Sequence, residues 1–212
     1  MTFIHTIPED QAEAAVKKMY EENVADFGYL PNYVQAFSLR PDVMAAWGQF
    51  LGTLSQDMDA RRYELVTLAA ARALHSSYCM LAHGSVMLQE LFSPEQLTRI
   101  AQNYQTADLT AAEVAMMAFA EQIVVDATTV TQADIDTLHQ HGFTDAEIFD
   151  ITTTAAARCF FSKTLDALGA EPDSAYLALD KSLRQALTVG RPIRSTGEKH
   201  VQNRSQSRHE RW

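Results

Sequence analysis

A recurring helix-start pattern restricts the fold of this chain more than any other feature. Ser93-Pro94-Glu95-Gln96, Thr110 with Glu113, and Thr144 with Glu147 each place a hydroxyl three residues before a Glu or Gln. At that spacing the hydroxyl accepts a backbone N–H of the first helical turn while the longer side chain reaches back to the residue that opens it. Pro94 falls at the first helical position, where its missing N–H costs nothing. Gly28, Gly142, Gly169 and Gly190 stand where periodic segments stop, as the left-handed residue after a helix requires. Start and stop signals at this density describe helices joined by short connections. Composition points the same way, with 8 Gly and 6 Pro against 31 Ala in 212 residues, a bias toward helix and away from sheet and turn. The expected fold class is all-α.

Further helices follow from periodicity. Pro8-Glu9-Asp10 opens a stretch to about Asp26 with Ala12, Ala15, Val16, Met19 and Tyr20 at helical spacing. Pro31 begins a short segment to Ser38, and Pro41 another with Val43, Met44, Trp47, Phe50 and Leu51 on one face. Asp59 can cap a helix from Ala60 to Leu74. Two segments echo one another: Glu64–Ala71 resembles Glu113–Ala120, and FSPEQLTRI from Phe92 resembles FTDAEIFDI from Phe143. The echo suggests two related helical units. At the 49-residue offset of the first pair the second unit carries Val125, Thr128 and Gln132 where the first has Ser76, Cys79 and His83, so the scaffold repeats and the reactive side chains do not.

A formal charge of −10 repels polyanions and argues against nucleic acid or an anionic membrane as partner. No run is apolar and long enough to span a bilayer. Two cysteines 80 residues apart do not form a disulfide framework, and the expected setting is cytoplasmic. Residues 1–188 read as a single domain. Residues 189–212 carry six Lys/Arg against two acids and show almost no apolar periodicity, so they read as a basic, disordered tail.

Chemistry concentrates between Arg62 and Leu91. Cys79 and His83 are four apart, so on a helix their side chains share a face. Ser76 and Ser77 are good N-cap residues, and a break near His75-Ser76 would put Cys79 in the first turn of a helix, where the dipole favours a thiolate. The plainer reading of a cysteine on an apolar helix is a small buried hydrophobe. His75, Cys79 and His83 repeat every four residues, but on a continuous helix the outer two lie about 12 Å apart, too far to make a metal site. No cofactor is expected. Cys159, in Ala155–Phe161, reads as packing, and Met116, Met117 and Phe119 as core.

The succession Glu64, Ser76, Cys79, His83 resembles the signature of the alkylhydroperoxidase D / carboxymuconolactone decarboxylase family, in which Glu is followed by Cys-x-x-Cys and His at those intervals. Gly28-Tyr29-Leu30-Pro31-Asn32, Arg40-Pro41, Leu109-Thr110, Gly142-Phe143-Thr144 and Leu168-Gly169 are similar to its peroxidase-related branch. The resemblance covers about residues 10–175. It implies an alkylhydroperoxidase D-like helical bundle that assembles into homo-oligomers. It also implies that Cys79 is the peroxidatic thiol, with His83 and Glu64 as its proton relay. Tyr78 stands where some members have His, either donating a proton or lining the pocket. Ser76 replaces the first cysteine, which removes the internal dithiol while leaving a hydroxyl able to hydrogen-bond the Cys79 sulfur.

The resemblance therefore predicts a thiol-dependent peroxidase that reduces alkyl hydroperoxides at Cys79. The resulting sulfenic acid would be resolved by an external thiol, by Cys159 or by another subunit. A second reading is acid–base chemistry by Glu64 and His83 on a small carboxylated substrate, as in the decarboxylase branch, with Arg61, Arg62 and Arg72 the nearest cations in sequence. A third is a non-catalytic helical binding scaffold.

Overall fold

A computed structural model of the protein describes residues 2–194. Its helices are α1 (Ala14–Phe27), α2 (Asn32–Ala36), α3 (Pro41–Ser55), α4 (Ala60–Ala73), α5 (Ser77–Glu90), α6 (Pro94–Asn103), α7 (Ala111–Asp126), α8 (Gln132–Gln140), α9 (Asp145–Leu168) and α10 (Lys181–Leu187). No strand occurs among the described residues, so the fold is all-α as expected.

The helix starts are the ones the capping pattern predicts. Ser93, Thr110 and Thr144 each accept from the backbone N–H three residues on, and Gln96, Glu113 and Glu147 return the bond. The first helix is shorter than its periodicity suggests. Residues Glu9–Gln11 form a 3-10 turn, and α1 begins only at Ala14.

Helix α4 is the axis of the molecule. Every residue from Glu64 to Ala71 is buried, which a helix achieves only when it is enclosed on all sides. It packs on α5, α7 and α9, and the alanines of α4 (Ala69, Ala70, Ala71) and α9 (Ala155, Ala157) lie in the interior with Met116, Met117 and Phe119 of α7. The echoed segments α4 and α7 are thus direct neighbours. Two adjacent arginines tie the first turn of α4 to both echoed phenylalanines. Arg61 lies over the Phe92 ring and pairs with Glu113, while Arg62 lies over the Phe143 ring and pairs with Glu147.

The turn between α4 and α5 decides where Cys79 sits. The His75 N–H donates to the Arg72 carbonyl and the Ser76 N–H to the Ala71 carbonyl, with His75 in the left-handed region at φ 53°. This double bond closes α4 as a Schellman motif with histidine in the place usually given to glycine. Ser76 then takes the N-cap position of α5, though its side chain makes no capping bond. Counting from Ser76, Cys79 is the third residue of the new helix.

Residues 189–194, the start of the basic segment, lie against this turn. Gly190 donates its N–H to Ser77 Oγ at 2.7 Å, Arg191 donates to the Asp166 carbonyl and Arg194 pairs with Glu171. The rest of the segment expected to be disordered lies outside the described residues. A Cβ on Gly190 would stand 1.9 Å from the His75 carbonyl oxygen, a distance that backbone on one side or the other must yield. Gly190→Ala should therefore destabilise the protein by about 1–3 kcal/mol in urea unfolding and disturb the turn that carries Cys79. An unchanged midpoint would show that this contact does not hold the turn.

Candidate active site

Helices α3, α5 and α9, with residues around the 3-10 turn Ser174–Ala178, enclose a cavity of about 590 Å³. Its wall is largely aromatic and aliphatic and includes Tyr33, Met44, Trp47, Leu51, Phe161 and Tyr176, with Cys79, His83 and Arg158 as its reactive groups. Phe50, expected on the same face of α3 as Trp47, instead remains 47% exposed.

Cys79 is 2% exposed, at the cavity wall and in contact with α9. Ser162 Oγ donates to its sulfur at 3.1 Å. Burial pushes the thiol pKa up, opposed by the Ser162 bond, the Arg158 charge and the Ser76 hydroxyl. The lowered value expected for a cysteine at a helix start is therefore not what the environment gives. Desolvation of a thiolate exceeds the help from the first turn and its polar neighbours.

His83 joins α5 to both other helices. Its Nδ1 lies 2.8 Å from Glu64 Oε2 on α4, and its Nε2 lies 3.1 Å from Arg158 Nη1 on α9. A guanidinium can only donate, so Nε2 accepts and the ring proton sits on Nδ1, donated to the carboxylate. This is the neutral tautomer. Burial and the Arg158 charge lower the His83 pKa, and Glu64 partly restores it. Arg158 also donates through Nη2 to the Tyr63 hydroxyl and lies over the Tyr63 ring. A continuous chain thus runs Glu64, His83, Arg158, Tyr63 behind the thiol.

Of the residues expected at the site, the structure brings Cys79, His83 and Glu64 to one place, with His83 in contact with Glu64 and with Arg158. Ser76 is fully buried beside them; its hydroxyl has no partner at full hydrogen-bond geometry, and it lies near enough to Cys79 and Asp166 to oppose the rise in pKa that burial imposes on both. Tyr78 lines the cavity, but its hydroxyl is donated to Asp173 at 2.6 Å, and burial beside that carboxylate raises its pKa well above the usual phenol value. Asp173 also receives the Asn32 N–H and the Tyr29 hydroxyl, so it ties α2 to the chain after α9. Cys159 is half-buried on α9 and absent from the cavity wall.

Arg158, Tyr63, Ser162 and Asp173 were missed in the sequence. Arg158 left one signal: it is the sole charge in the run from Ile151 to Ser162, and an isolated charge in an apolar helical stretch needs a buried purpose. The three arginines considered for anion binding are engaged elsewhere, Arg61 with Glu113, Arg62 with Glu147 and Arg72 with Glu121. Among the described residues no cluster of His, Cys, Asp and Glu could hold a metal ion. No helix there is long and apolar enough to cross a membrane.

Fold and site together define an all-helical protein of alkylhydroperoxidase D-like architecture. The Carboxymuconolactone decarboxylase family model matches residues 41–122, the span from the start of α3 through the Glu64–His83 segment to α7. Over that span the chain is similar to the Carboxymuconolactone decarboxylase family, and solved structures share its fold. Among solved structures it is similar to the alkylhydroperoxidase AhpD core of an uncharacterized peroxidase-related protein from Ralstonia eutropha JMP134, with 23% identity, TM-score 0.75 and coverage of 84% of this chain and 95% of that one. An uncharacterized peroxidase-related protein from Silicibacter sp. TM1040 follows at 21% identity and TM-score 0.70, covering 82% and 91%. The debrominase Bmp8, solved as a cysteine-to-alanine variant with 2,3,4-tribromopyrrole, has 16% identity and TM-score 0.70, covering 88% and 98%. No curated protein matches the sequence.

The burial of Cys79 gives a direct test. In Cys159→Ser protein its alkylation by iodoacetamide should accelerate only above the ordinary thiol pKa of about 8.5, later in pH than that of free N-acetylcysteine. Rapid reaction below pH 7 would mean that the helix start and Arg158 outweigh burial.

Proposed function

We propose that this protein is a thiol-dependent oxidoreductase that reduces organic hydroperoxides at Cys79. The observation that supports this most directly is the thiol at the wall of an apolar cavity, backed by a neutral imidazole, a carboxylate and a buried guanidinium. The thiol is protonated at rest, so the reaction needs a base. His83 is held neutral and shares the inner face of α5 with Cys79. It takes the thiol proton on Nε2 once the Arg158 guanidinium turns from the ring toward the bound peroxide. Glu64 then stabilises the imidazolium through Nδ1–H. Sulfur attacks the terminal peroxide oxygen, the O–O bond breaks, and the proton held by His83 passes to the departing oxygen. Cys79 is left as a sulfenic acid and the hydroperoxide as an alcohol.

Ser76 cannot resolve that sulfenic acid, and Cys159 does not line the cavity. An external thiol is therefore the reductant: one equivalent forms a mixed disulfide with loss of water, and a second releases Cys79. Ser162 has the position of a group that steadies the sulfur through the cycle. A homo-oligomer and a cytoplasmic setting belong to the same proposal.

A second reading keeps Glu64 and His83 and makes the reaction acid–base chemistry on a small carboxylated substrate. Arg158 favours it, since the cavity offers a carboxylate a cation that the sequence had not disclosed. Bmp8, named as a debrominase and solved with 2,3,4-tribromopyrrole, has a similar fold.

The test is turnover of cumene hydroperoxide with a monothiol reductant. Cys79→Ser should abolish it and His83→Ala should lower it by on the order of 100-fold or more. Ser76→Cys should add dithiol-dependent activity. Equal rates for wild type and Cys79→Ser would refute the thiol reading, and activity that survives Cys79→Ala but not His83→Ala would establish the acid–base one.

A further inference from the structure

We propose that Arg158 forms an anion subsite beside the thiol and that the preferred substrates are apolar peroxy acids, whose leaving group departs as a carboxylate. The inference rests on the reading of Cys79 as the reducing thiol, and asks which hydroperoxides the site is built to cleave.

Three observations carry it. Arg158 is 1% exposed, yet among the described residues no carboxylate pairs with it directly. Its contacts are a neutral ring nitrogen and a phenol, and its Nε has no partner. A buried cation without a counter-ion is costly unless an anion joins it. Secondly, Arg158 is the one formally charged residue on the cavity wall among the described residues, and the rest of that wall is mainly aromatic and aliphatic. A ligand matching both features has an apolar body and one negative group. Thirdly, proton donors are scarce at the thiol. The single ring proton of neutral His83 is given to Glu64, the hydroxyls of Tyr29 and Tyr78 go to Asp173 and that of Tyr33 to Asn23, and Ser162 donates to the sulfur itself; among the described phenols of the wall, Tyr176 alone keeps a hydroxyl not committed in this way.

An alkoxide leaving group must recover a proton as it forms, and depends on the one that His83 takes from the thiol or on Tyr176. A carboxylate need not, and a guanidinium stabilises it with paired N–H donors. The balanced step is Cys79 thiol plus peroxy acid to Cys79 sulfenic acid plus carboxylate plus a proton. The thiol proton passes to His83, sulfur bonds to the terminal oxygen, and the O–O electron pair leaves on the carboxylate against Arg158. Sulfur is oxidised and the peroxy acid reduced. The external thiol already invoked returns Cys79 to its starting state.

The experiment has two arms. In the first, sulfenic acid formation at Cys79 is timed with peroxybenzoic acid and with cumene hydroperoxide, and each rate is divided by that of N-acetylcysteine thiolate with the same oxidant. The corrected preference for the peroxy acid should be tenfold or greater in the wild type. It should shrink in Arg158→Lys and vanish in Arg158→Met. In the second, Cys79→Ser protein is titrated with 1-naphthoate and with 1-naphthylmethanol, read by fluorescence of Trp47 on the cavity wall. The acid should bind at least tenfold tighter than the alcohol, a comparison that needs no Arg158 variant to fold. A reactive Cys79 with a corrected preference near one, or an alcohol that binds as tightly as the acid, overturns the subsite. Inertness of Cys79 toward both oxidants overturns the thiol reading, and the peroxy-acid assignment with it.

Discussion

The guanidinium of Arg158 is the charge around which the interior is arranged. Transfer of such a group from water costs several kcal/mol even after relaxation, and it is held here by three elements at once. α5 supplies the His83 ring nitrogen, α4 supplies the Tyr63 hydroxyl and aromatic face, and α9 carries the arginine itself. Glu64 reaches it only through the imidazole and does not pair with it directly. That indirect pairing has a chemical consequence. A carboxylate bound straight to Arg158 would neutralise it, whereas a neutral ring between them leaves the positive field directed at Cys79 and the cavity.

The thiol shows why position on a helix does not by itself set reactivity. A helix start stabilises a negative group by about 0.3–1 kcal/mol, and up to about 2 kcal/mol in favourable sites. Full burial can raise a thiol pKa by several units, each about 1.4 kcal/mol. Burial wins at Cys79 although the Ser162 bond, Arg158 and Ser76 all oppose it. The same environment lowers the His83 pKa. Both shifts favour the neutral forms at rest, the starting state that the proposed transfer of a proton from sulfur to nitrogen requires.

Much of this arrangement was legible in the sequence because it depends on local rules. The capping boxes at Ser93, Thr110 and Thr144 and the break at His75-Ser76 involve residues within a few positions of each other, and periodicity finds them. Glu64 and His83 were found through the family spacing. What escaped depends on how separate helices meet. Arg158 lies 75 residues from His83, and Asp173 lies 95 from Tyr78, distances across which no periodic pattern operates. Of the two readings of Cys79 the buried one holds and the lowered pKa does not, because the contact with α9 at Ser162 is one that the segment around it cannot reveal. Gly190 was read as a helix stop, and its role is close backbone approach to His75, again a contact between distant parts of the chain.

The echo between the two halves explains how a lone reactive centre is compatible with a repeated scaffold. Phe92 and Phe143 each precede a capping serine or threonine, and each is covered by one of the adjacent arginines at the start of α4. That clamp fixes where α6 and α9 begin relative to α4. Helix α6, however, ends at Asn103 after ten residues, while α9 runs for 24. Only the longer helix reaches past α4 to the face of α5 that bears Cys79 and His83, and Arg158 and Ser162 both lie in the part of α9 beyond the length of α6. The extra turns thus supply the cation and the sulfur's hydrogen bond, and they do so on one side alone. A symmetric pair of short helices would lose these two contacts, so the asymmetry in helix length, together with the absence of a second Cys and His at the matching positions of the repeat, confines the candidate site to the Glu64–His83 half.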